Sequence, residues 1–224
     1  MKAATQILAN ETARFNMIEQ QIRTWDVLDP RVLQLLNDVP RENFVPDAYQ
    51  GLAFADIEIP LGFGQTMLSP KLEGRMLQAL NVQKTDRVLH VGTGSGYFTA
   101  LLASLAGHVV SVEINAELSA TAAYKLSQNN IHNVTVELAD GNLGAPAQQP
   151  FDVIVLTGSS PTEPLGIRQQ LAVDGVMLIV LGQAPAMQAT LIHRVSQAGY
   201  KEDILFETCI SALENAAQAS AFEF

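Results

Sequence analysis

The sequence has little of several residue types that mark particular protein classes. Its 224 residues include one cysteine, Cys209, so we expect neither an intramolecular disulfide nor a cysteine-built zinc site. The four histidines are scattered without metal-ligand spacing. No stretch approaches the ~20 apolar residues that a bilayer span needs. The first residues also lack an apolar signal core, which favours a soluble, cytoplasmic protein.

Positive charge is scarce as well. The chain carries 13 Lys and Arg against 23 Asp and Glu, a formal net charge of −10 at pH 7, and we find no cluster of basic residues. Because binding to nucleic acid relies on basic contacts to phosphates, this balance disfavours a nucleic-acid partner. The hydrophobic fraction of 48% indicates a globular chain, and its length suits one large domain.

What the sequence does contain is a glycine-rich turn between a strand and a helix. Residues 86–97 read D-R-V-L-H-V-G-T-G-S-G-Y, in which a short apolar run is followed at once by Gly92, Gly94 and Gly96. Residues 98–106 then have the pattern of a helix. Glycines let a backbone turn sharply and approach a ligand closely, so this arrangement predicts a nucleotide-type pocket at the carboxyl end of the strand.

The spacing of the glycines indicates which nucleotide is bound. The dinucleotide fingerprint G-x-G-x-x-G/A would require Gly or Ala at position 97, where this chain has Tyr97. The turn therefore favours a ligand that presents an amino acid and a ribose, as S-adenosylmethionine does. The alternative is a plain glycine turn before a core helix.

Two carboxylates follow later strands of the same pattern. Glu113 ends the second strand, about twenty residues after the glycines, where a carboxylate can accept hydrogen bonds from both ribose hydroxyls. Asp140 and Gly141 follow the third strand, where they form either an ordinary turn or a contact to adenine. A surface glutamate at a strand end is the alternative interpretation of Glu113.

The remaining pattern predicts an α/β fold. We expect a helix over 4–23, a helix from Pro30 to Pro40, a long aperiodic segment over 41–69 and a helix over 70–80. Strands and helices then alternate to residue 181, which indicates a mostly parallel sheet with helices on both faces. The predicted strands are 87–91, 108–113, 134–138, 151–157 and 175–181, the predicted helices are 98–106, 116–129 and 165–171, and two late strands over 189–195 and 204–208 would form an antiparallel edge. This is the Rossmann-like class I methyltransferase architecture, in one domain whose residues 1–80 would pack over the cofactor site.

Several motifs together resemble the protein-L-isoaspartate O-methyltransferase family over residues 12–208. They are R-x-x-F-V-P-x-x-Y (41–49), I-P-L-G-F-G-Q-T (59–66), V-G-T-G-S-G-Y (91–97), Glu113 and F-D-V-I (151–154). The resemblance implies transfer of a methyl group from S-adenosylmethionine to the α-carboxylate of an isoaspartyl residue in a damaged protein, leaving S-adenosylhomocysteine. Such a carboxylate is already nucleophilic, so alignment is the enzyme's main task and no strong base is needed.

The resemblance also implies a set of site residues. Gly92, Thr93, Gly94 and Ser95 would line the methionine moiety, and residues 66–69 would close over the methyl group. The expected cofactor-binding residues are Thr66, Met67, Leu68, Gly92, Thr93, Gly94, Ser95, Glu113, Ile114, Asp140 and Gly141, with Ser69 as the catalytic residue and no metal.

Three departures from the family pattern affect the substrate side. Leu68 stands where the family has a serine thought to hold the substrate carboxylate, and Ser69 comes one residue later. His90 replaces the usual acid before the first glycine, and residues 211–224 lack the family's usual C-terminal stretch. Either Ser69 substitutes through a shifted backbone, or the chain is a diverged relative. Such a relative would methylate another acceptor or bind the cofactor without catalysis.

Overall fold

The structure is a computed structural model that describes residues 2–216, with side chains from residue 8 onward. Its contacts divide the chain into two compact units, Met1–Asn81 and Val82–Phe224, here called the N-terminal unit and the C-terminal unit. Within the described residues no helix combines the length and the apolar character needed to cross a membrane.

The N-terminal unit is mostly helical. Helix α1 (Lys2–Asn16) continues into a π-helical turn (Met17–Ile22) and a 3₁₀ turn (Arg23–Trp25), and helices α2 (Pro30–Asp38) and α3 (Pro70–Leu80) follow. Helix α2 begins as predicted, because the Asp29 side chain accepts a hydrogen bond from the backbone N–H of Arg31 at 2.8 Å and Pro30 occupies the first helical position.

The structure differs from the sequence expectation in two parts of this unit. The aperiodic segment over 41–69 contains two 3₁₀ turns (Arg41–Asn43, Asp47–Leu52) and a hairpin of strands β1 (Ile59–Gly62) and β2 (Gln65–Met67). Strands of three or four residues are too short to display a period. The helix predicted over 4–23 is regular only to Asn16, and its Leu8 and Phe15 are exposed instead of facing a core.

The C-terminal unit is built on one seven-stranded sheet. Its strands are β3 (Arg87–Val91), β4 (His108–Glu113), β5 (Val134–Leu138), β6 (Phe151–Ser160), β7 (Leu171–Gln183), β8 (Ala186–Arg194) and β9 (Tyr200–Glu207). The sheet order is β5-β4-β3-β6-β7-β8-β9. The first five strands in this order are parallel and the last two pairings are antiparallel. The predicted α/β fold with an antiparallel edge is therefore confirmed.

Three helices connect the parallel strands. They are α4 (Tyr97–Leu105), α5 (Ala116–Gln128) and α6 (Leu165–Arg168). The helix predicted over 165–171 is one turn long, because β7 already begins at Leu171. Strands β6 and β7 extend beyond their predicted limits, whereas β8 and β9 begin earlier than predicted and end one residue early. Since five neighbouring strands are parallel, their carboxyl ends lie along one edge of the sheet, here called the carboxyl edge.

A buried arginine joins three segments of the N-terminal unit. Arg41 is 0% exposed, its Nε donates to the carbonyl of Ala53 at 3.0 Å, and its Nη2 donates to the carbonyl of Leu68 at 2.7 Å. Its Nη1 forms a buried ion pair with Glu73 on α3. Burial raises the pKa of Glu73 to about 7, and the charge of Arg41 opposes that rise. Arg41 therefore determines where the backbone of residue 68 lies.

Replacing Arg41 with methionine is expected to destabilise the protein by about 3–5 kcal/mol, because the Glu73 carboxyl then lacks its buried partner. The pKa of Glu73, which is about 7 in the wild type, would rise further, so the deficit of the variant relative to the wild type is constant below about pH 7 and grows above it. Urea unfolding monitored by circular dichroism measures both effects.

The matched control is Arg23→Met, which removes an exposed ion pair with Glu19 in the same unit. This variant is expected to lose less than about 1 kcal/mol. Equal losses for the two variants, or a deficit of Arg41→Met that shrinks as the pH rises, would contradict the structural role assigned to Arg41.

Candidate functional site

The glycine-rich turn follows β3 directly at the carboxyl edge. Gly92, Gly94 and Gly96 have φ angles of 94°, 53° and 84°. All three angles lie in the left-handed region that residues with a Cβ atom disfavour. The backbone of this turn therefore favours glycine at these positions, in agreement with the sequence interpretation. The backbone N–H of Gly92 donates to the carbonyl of Val112 at 2.9 Å, which fixes the turn to β4. Helix α4 then begins at Tyr97.

Close packing is a second reason why glycine is needed, at Gly96 in the turn and at Gly141 in the loop after β5. A Cβ atom at Gly96 would lie 3.2 Å from the Cβ of Ala122 on α5. A Cβ atom at Gly141 would lie 2.3 Å from Cγ1 of Val91, the last residue of β3. Gly141 therefore allows the loop after β5 to pack against the end of β3. This packing brings the candidate adenine carboxylate, Asp140, to the same stretch of the carboxyl edge as the glycine turn.

Glu113 lies at the end of β4, as predicted, and connects the turn to the next loop. Its Oε2 accepts a hydrogen bond from the backbone N–H of Gly94 at 2.8 Å, and its Oε1 accepts one from Asn115 at 3.0 Å. A carboxylate offers about four acceptor sites, so about two remain. Two acceptors on one carboxylate are what the two hydroxyls of a ribose require. Ile114 follows as a half-buried residue.

Asp140 begins the 3₁₀ turn after β5. Its Oδ1 accepts hydrogen bonds from the backbone N–H and the side-chain Nδ2 of Asn142, both at 2.9 Å. Its Oδ2 accepts from Nδ2 of Asn215 at 3.1 Å. The backbone bond from Asn142 is the main reason that the pKa of Asp140 lies below its usual range, and Asn215 adds to the effect. Asp140 is therefore an ionised acceptor at the carboxyl edge.

The side chains of the turn point into a buried polar network. Thr93 Oγ1 lies 2.7 Å from Ser111 Oγ, and Ser95 Oγ accepts from the backbone N–H of Tyr97 at 3.2 Å. Thr93 and Ser95 are 3% and 7% exposed, so it is mainly the backbone of the turn that is available to a ligand.

His90 occupies the middle of this network. Its Nδ1 lies 2.8 Å from Thr99 Oγ1 and 3.2 Å from Ser111 Oγ, and its Nε2 lies 3.0 Å from Thr157 Oγ1. The Thr157 hydroxyl donates to the carbonyl of Gly92 at 2.8 Å, so it has to accept from Nε2–H of His90. Burial lowers the pKa of His90 to about 3, so the ring is neutral and its Nδ1 is the acceptor. His90 is therefore a satisfied structural group and has no free nitrogen for catalysis.

The predicted site residues at 66–69 belong to the N-terminal unit. Thr66 Oγ1 donates to Glu58 at 2.9 Å, and the Met67 and Leu68 side chains are buried. Ser69 stands at the N-cap of α3, where its side chain makes no capping hydrogen bond. A contact of these residues with a cofactor, and the catalytic role of Ser69, stay predictions.

Sequence reasoning missed the residues that hold the glycine turn and Asp140 in place. Thr157 and Ser111 hold the turn, and Asn142 holds Asp140. Residues 210–216, here called the strap, also reach the carboxyl edge, and residues 217–224 lie outside the described part of the chain. Only Asn142 gave a signal, since D-G-N is a turn sequence in which an aspartate can accept from the backbone two residues on. The strap has no motif that would have located it.

The chemistry of this edge fits a nucleoside without a pyrophosphate. The segments 92–96, 113–115 and 139–144 contain two carboxylates, Glu113 and Asp140, and no lysine or arginine. Carboxylates would repel a pyrophosphate, whereas they can accept hydrogen bonds from ribose hydroxyls and an amine. Within residues 2–216 no group of three or more His, Cys, Asp or Glu side chains is placed to hold a metal ion. The fold and the turn thus define a Rossmann-like methyltransferase.

Comparison with known proteins identifies the family. A family model described as protein-L-isoaspartate(D-aspartate) O-methyltransferase matches residues 12–211, and the chain belongs to this family. A protein-L-isoaspartate O-methyltransferase of Rhodopseudomonas palustris is 38% identical, covering 84% of this chain and 87% of that protein. One of Koribacter versatilis is also 38% identical and covers 93% of each chain. The resemblance stated from the motifs is confirmed.

Solved structures support the fold. A protein-L-isoaspartate O-methyltransferase matches with a TM-score of 0.78 at 23% identity, covering 89% of this chain and 65% of that one. A Plasmodium falciparum protein assigned to the same enzyme class, in complex with S-adenosyl-L-homocysteine, also has a TM-score of 0.78. It is 19% identical, and the match covers 92% of this chain and 98% of that one. At these identities the two structures establish the fold alone.

The buried, neutral state of His90 predicts a pH dependence of stability. Its folded pKa is lowered from 6.5 to about 3, so below about pH 6 the unfolded chain binds a proton that the folded chain does not. The stabilisation that the neutral His90 ring contributes is fully present above pH 6.5 and is lost as the pH falls below that value. The stability advantage of the wild type over His90→Gln should therefore shrink by about 1.4 kcal/mol per pH unit between about pH 6 and pH 4.

Urea unfolding at several pH values measures this difference. The control is His132→Gln, which removes an exposed imidazole. If the difference in unfolding free energy between the wild type and His90→Gln stays constant over this pH range, His90 is not buried in the neutral form.

Proposed function

We propose that this protein is an S-adenosylmethionine-dependent protein-L-isoaspartate O-methyltransferase that methylates the α-carboxylate of isoaspartyl residues in damaged proteins. One observation carries the proposal. The glycine turn and the Glu113 carboxylate form a nucleoside-type edge in a chain that belongs to this family over residues 12–211. A cytoplasmic location stays a prediction from the sequence.

In this proposal the carboxyl edge holds the cofactor. The free acceptor sites of Glu113 take the ribose hydroxyls, while the bond from Gly94 keeps the carboxylate against the turn. Asp140 accepts from the exocyclic amine of adenine, and Gly141 leaves room beside it. The backbone of residues 92–95 lines the methionine moiety. These assignments follow from acceptor chemistry and the close approach that the glycines allow.

The chemistry requires alignment more than proton transfer. When bound, S-adenosylmethionine supplies a methyl group on a sulfonium that leaves as a neutral thioether. An oxygen of the acceptor carboxylate forms the new bond to the methyl carbon, and the electron pair of the broken C–S bond goes to sulfur. Because the acceptor is ionised at neutral pH, no general base is needed. The neutral, fully engaged His90 agrees with this requirement.

A second candidate function is that of a diverged relative with another acceptor or with no transfer activity. The observation that favours it is Leu68, which stands at the family's serine position and is 5% exposed. A buried leucine offers no hydrogen bond to a carboxylate. Its neighbour Ser69 retains a side chain that is not used as a helix cap, which favours the first candidate.

Transfer of a labelled methyl group separates the two functions. Two peptides that differ only in an isoaspartyl or an aspartyl linkage are incubated with labelled S-adenosylmethionine and the full chain. The proposal predicts base-labile labelling of the isoaspartyl peptide at a rate at least about tenfold above its aspartyl twin. Labelling of neither peptide, in a protein that binds the cofactor, would favour the diverged relative.

The same assay tests the role of Ser69. If its hydroxyl holds the acceptor carboxylate, Ser69→Ala should lower kcat/KM about tenfold or more through the loss of one hydrogen bond to a charged group. The exposed Ser127→Ala serves as the matched control. Full activity of Ser69→Ala would refute the catalytic assignment and leave the proposed function intact.

A further inference from the structure

The strap, residues 210–216, is held at two points, one on strand β6 and one in the loop after β5. At one end Ser159 of β6 pairs with it, because the Ser159 N–H donates to the carbonyl of Ser211 and the Leu213 N–H donates to the carbonyl of Ser159, both at 2.9 Å. At the other end Asn142 Nδ2 donates to the carbonyl of Glu214 at 2.7 Å, and Asn215 donates to Asp140. The strap thus connects the end of β6 to the loop after β5.

The sheet order determines what lies beneath the strap. The loop after β5 reaches the end of β3, because Gly141 packs against Val91 there. β3 is the neighbour of β6, so the strap has to span only about one strand spacing between its two attachments. The strap therefore lies at the carboxyl end of β3, beside the glycine turn. Consistent with this path, a Cβ atom at Gly92 would lie 3.8 Å from Cδ2 of Leu213.

Burial along the strap is uneven. Ile210 and Ala216 are buried at its ends, and Leu213 packs against the core of the sheet. Between them Ala212, Glu214 and Asn215 are exposed. Segments with few buried contacts open at low cost in free energy. The Asn215 bond to Asp140 is charge-assisted, so it is a strong part of the attachment on the β5 side.

We propose that Asn215 is a positioning residue that fastens the strap to Asp140 across the cofactor edge, and that this fastening sets the rates at which the nucleoside enters and leaves. The proposal rests on the proposed function, since it takes the edge under the strap to be the cofactor site. Asn215 acts through Asp140 and the strap backbone and takes no part in the methyl transfer.

The proposal makes a specific kinetic prediction. If the strap has to open for entry and for exit, weakening its attachment raises the open fraction of the free protein and of the complex alike. Loss of one exposed, charge-assisted hydrogen bond should raise this fraction about fivefold. In Asn215→Ala the association and dissociation rate constants for S-adenosylhomocysteine should both rise about fivefold. The Kd should then change by less than about twofold.

A second variant loosens the strap from its other end. A Cβ atom at Gly158 would lie 2.6 Å from Cδ2 and 3.1 Å from the backbone nitrogen of Leu213, so Gly158→Ala has to displace the strap. It should raise both rate constants in the same way, although it leaves Asn215 and Asp140 unchanged. Gly166→Ala is its control, because nothing lies within 4 Å of a Cβ at that position.

Stopped-flow measurement of S-adenosylhomocysteine binding to the full chain tests the proposal, with thermal unfolding as a check on the fold. The control for Asn215→Ala is Asn37→Ala, which removes another asparagine-to-aspartate bond of 3.1 Å, to Asp38 in the N-terminal unit. Unchanged rate constants in Asn215→Ala, or a rise in the dissociation rate constant alone, overturns the proposal. Failure of the unchanged protein to bind S-adenosylhomocysteine overturns the proposed function as well.

Discussion

The hydrogen bond from the backbone N–H of Gly94 to the Glu113 carboxylate is the constraint on which the site depends. It joins the turn after β3 to the end of β4, two neighbouring parallel strands. The turn can make this bond only because its three glycines accept positive φ angles. The same carboxylate also holds the N–H of Asn115, so it fixes two loops and still has acceptor sites for a ligand. In the proposed function, fold and ligand recognition would thus be combined in one side chain.

A buried network compensates for the residue that departs most visibly from the family in this unit. An acid at position 90 would be an acceptor only, whereas the histidine both donates and accepts. Because His90 donates to the Thr157 hydroxyl oxygen, the Thr157 hydroxyl proton is donated to the carbonyl of Gly92. Ser111 and Thr93 hold the turn on its other side. The network therefore holds the turn through neutral hydrogen bonds, which agrees with the burial of the ring.

The strap adds a third layer to the site. The turn and Glu113 are joined by a hydrogen bond between residues 19 positions apart, whereas the strap reaches Asn142 from 72 residues further along the chain. Three of its seven residues are exposed, as expected for a segment that detaches and reseats without unfolding the sheet. In the proposed enzyme, product release would then depend on residues that do not touch the reacting atoms.

Much of the C-terminal unit could be predicted from sequence, because its strands are buried and its helices are periodic. Strands β3, β4 and β5, helices α4 and α5 and the turn were located within a residue, and Glu113 was placed correctly at its strand end. The β1–β2 hairpin was missed, since strands this short carry no period. Thr157 and Asn215 were missed for another reason. Their importance comes from tertiary contacts with Gly92 and Asp140, which leave no local signal.

The central claim is that Glu113 seats the ribose of a sulfonium nucleoside beside the glycine turn. Calorimetric titration of S-adenosylhomocysteine into the wild type, Glu113→Gln and the exposed first-turn control Glu117→Gln tests it most directly. The account predicts saturable binding that Glu113→Gln weakens by about 10- to 100-fold through the loss of charged acceptors, and that Glu117→Gln leaves within about twofold. Equal affinity of Glu113→Gln and the wild type would contradict the account.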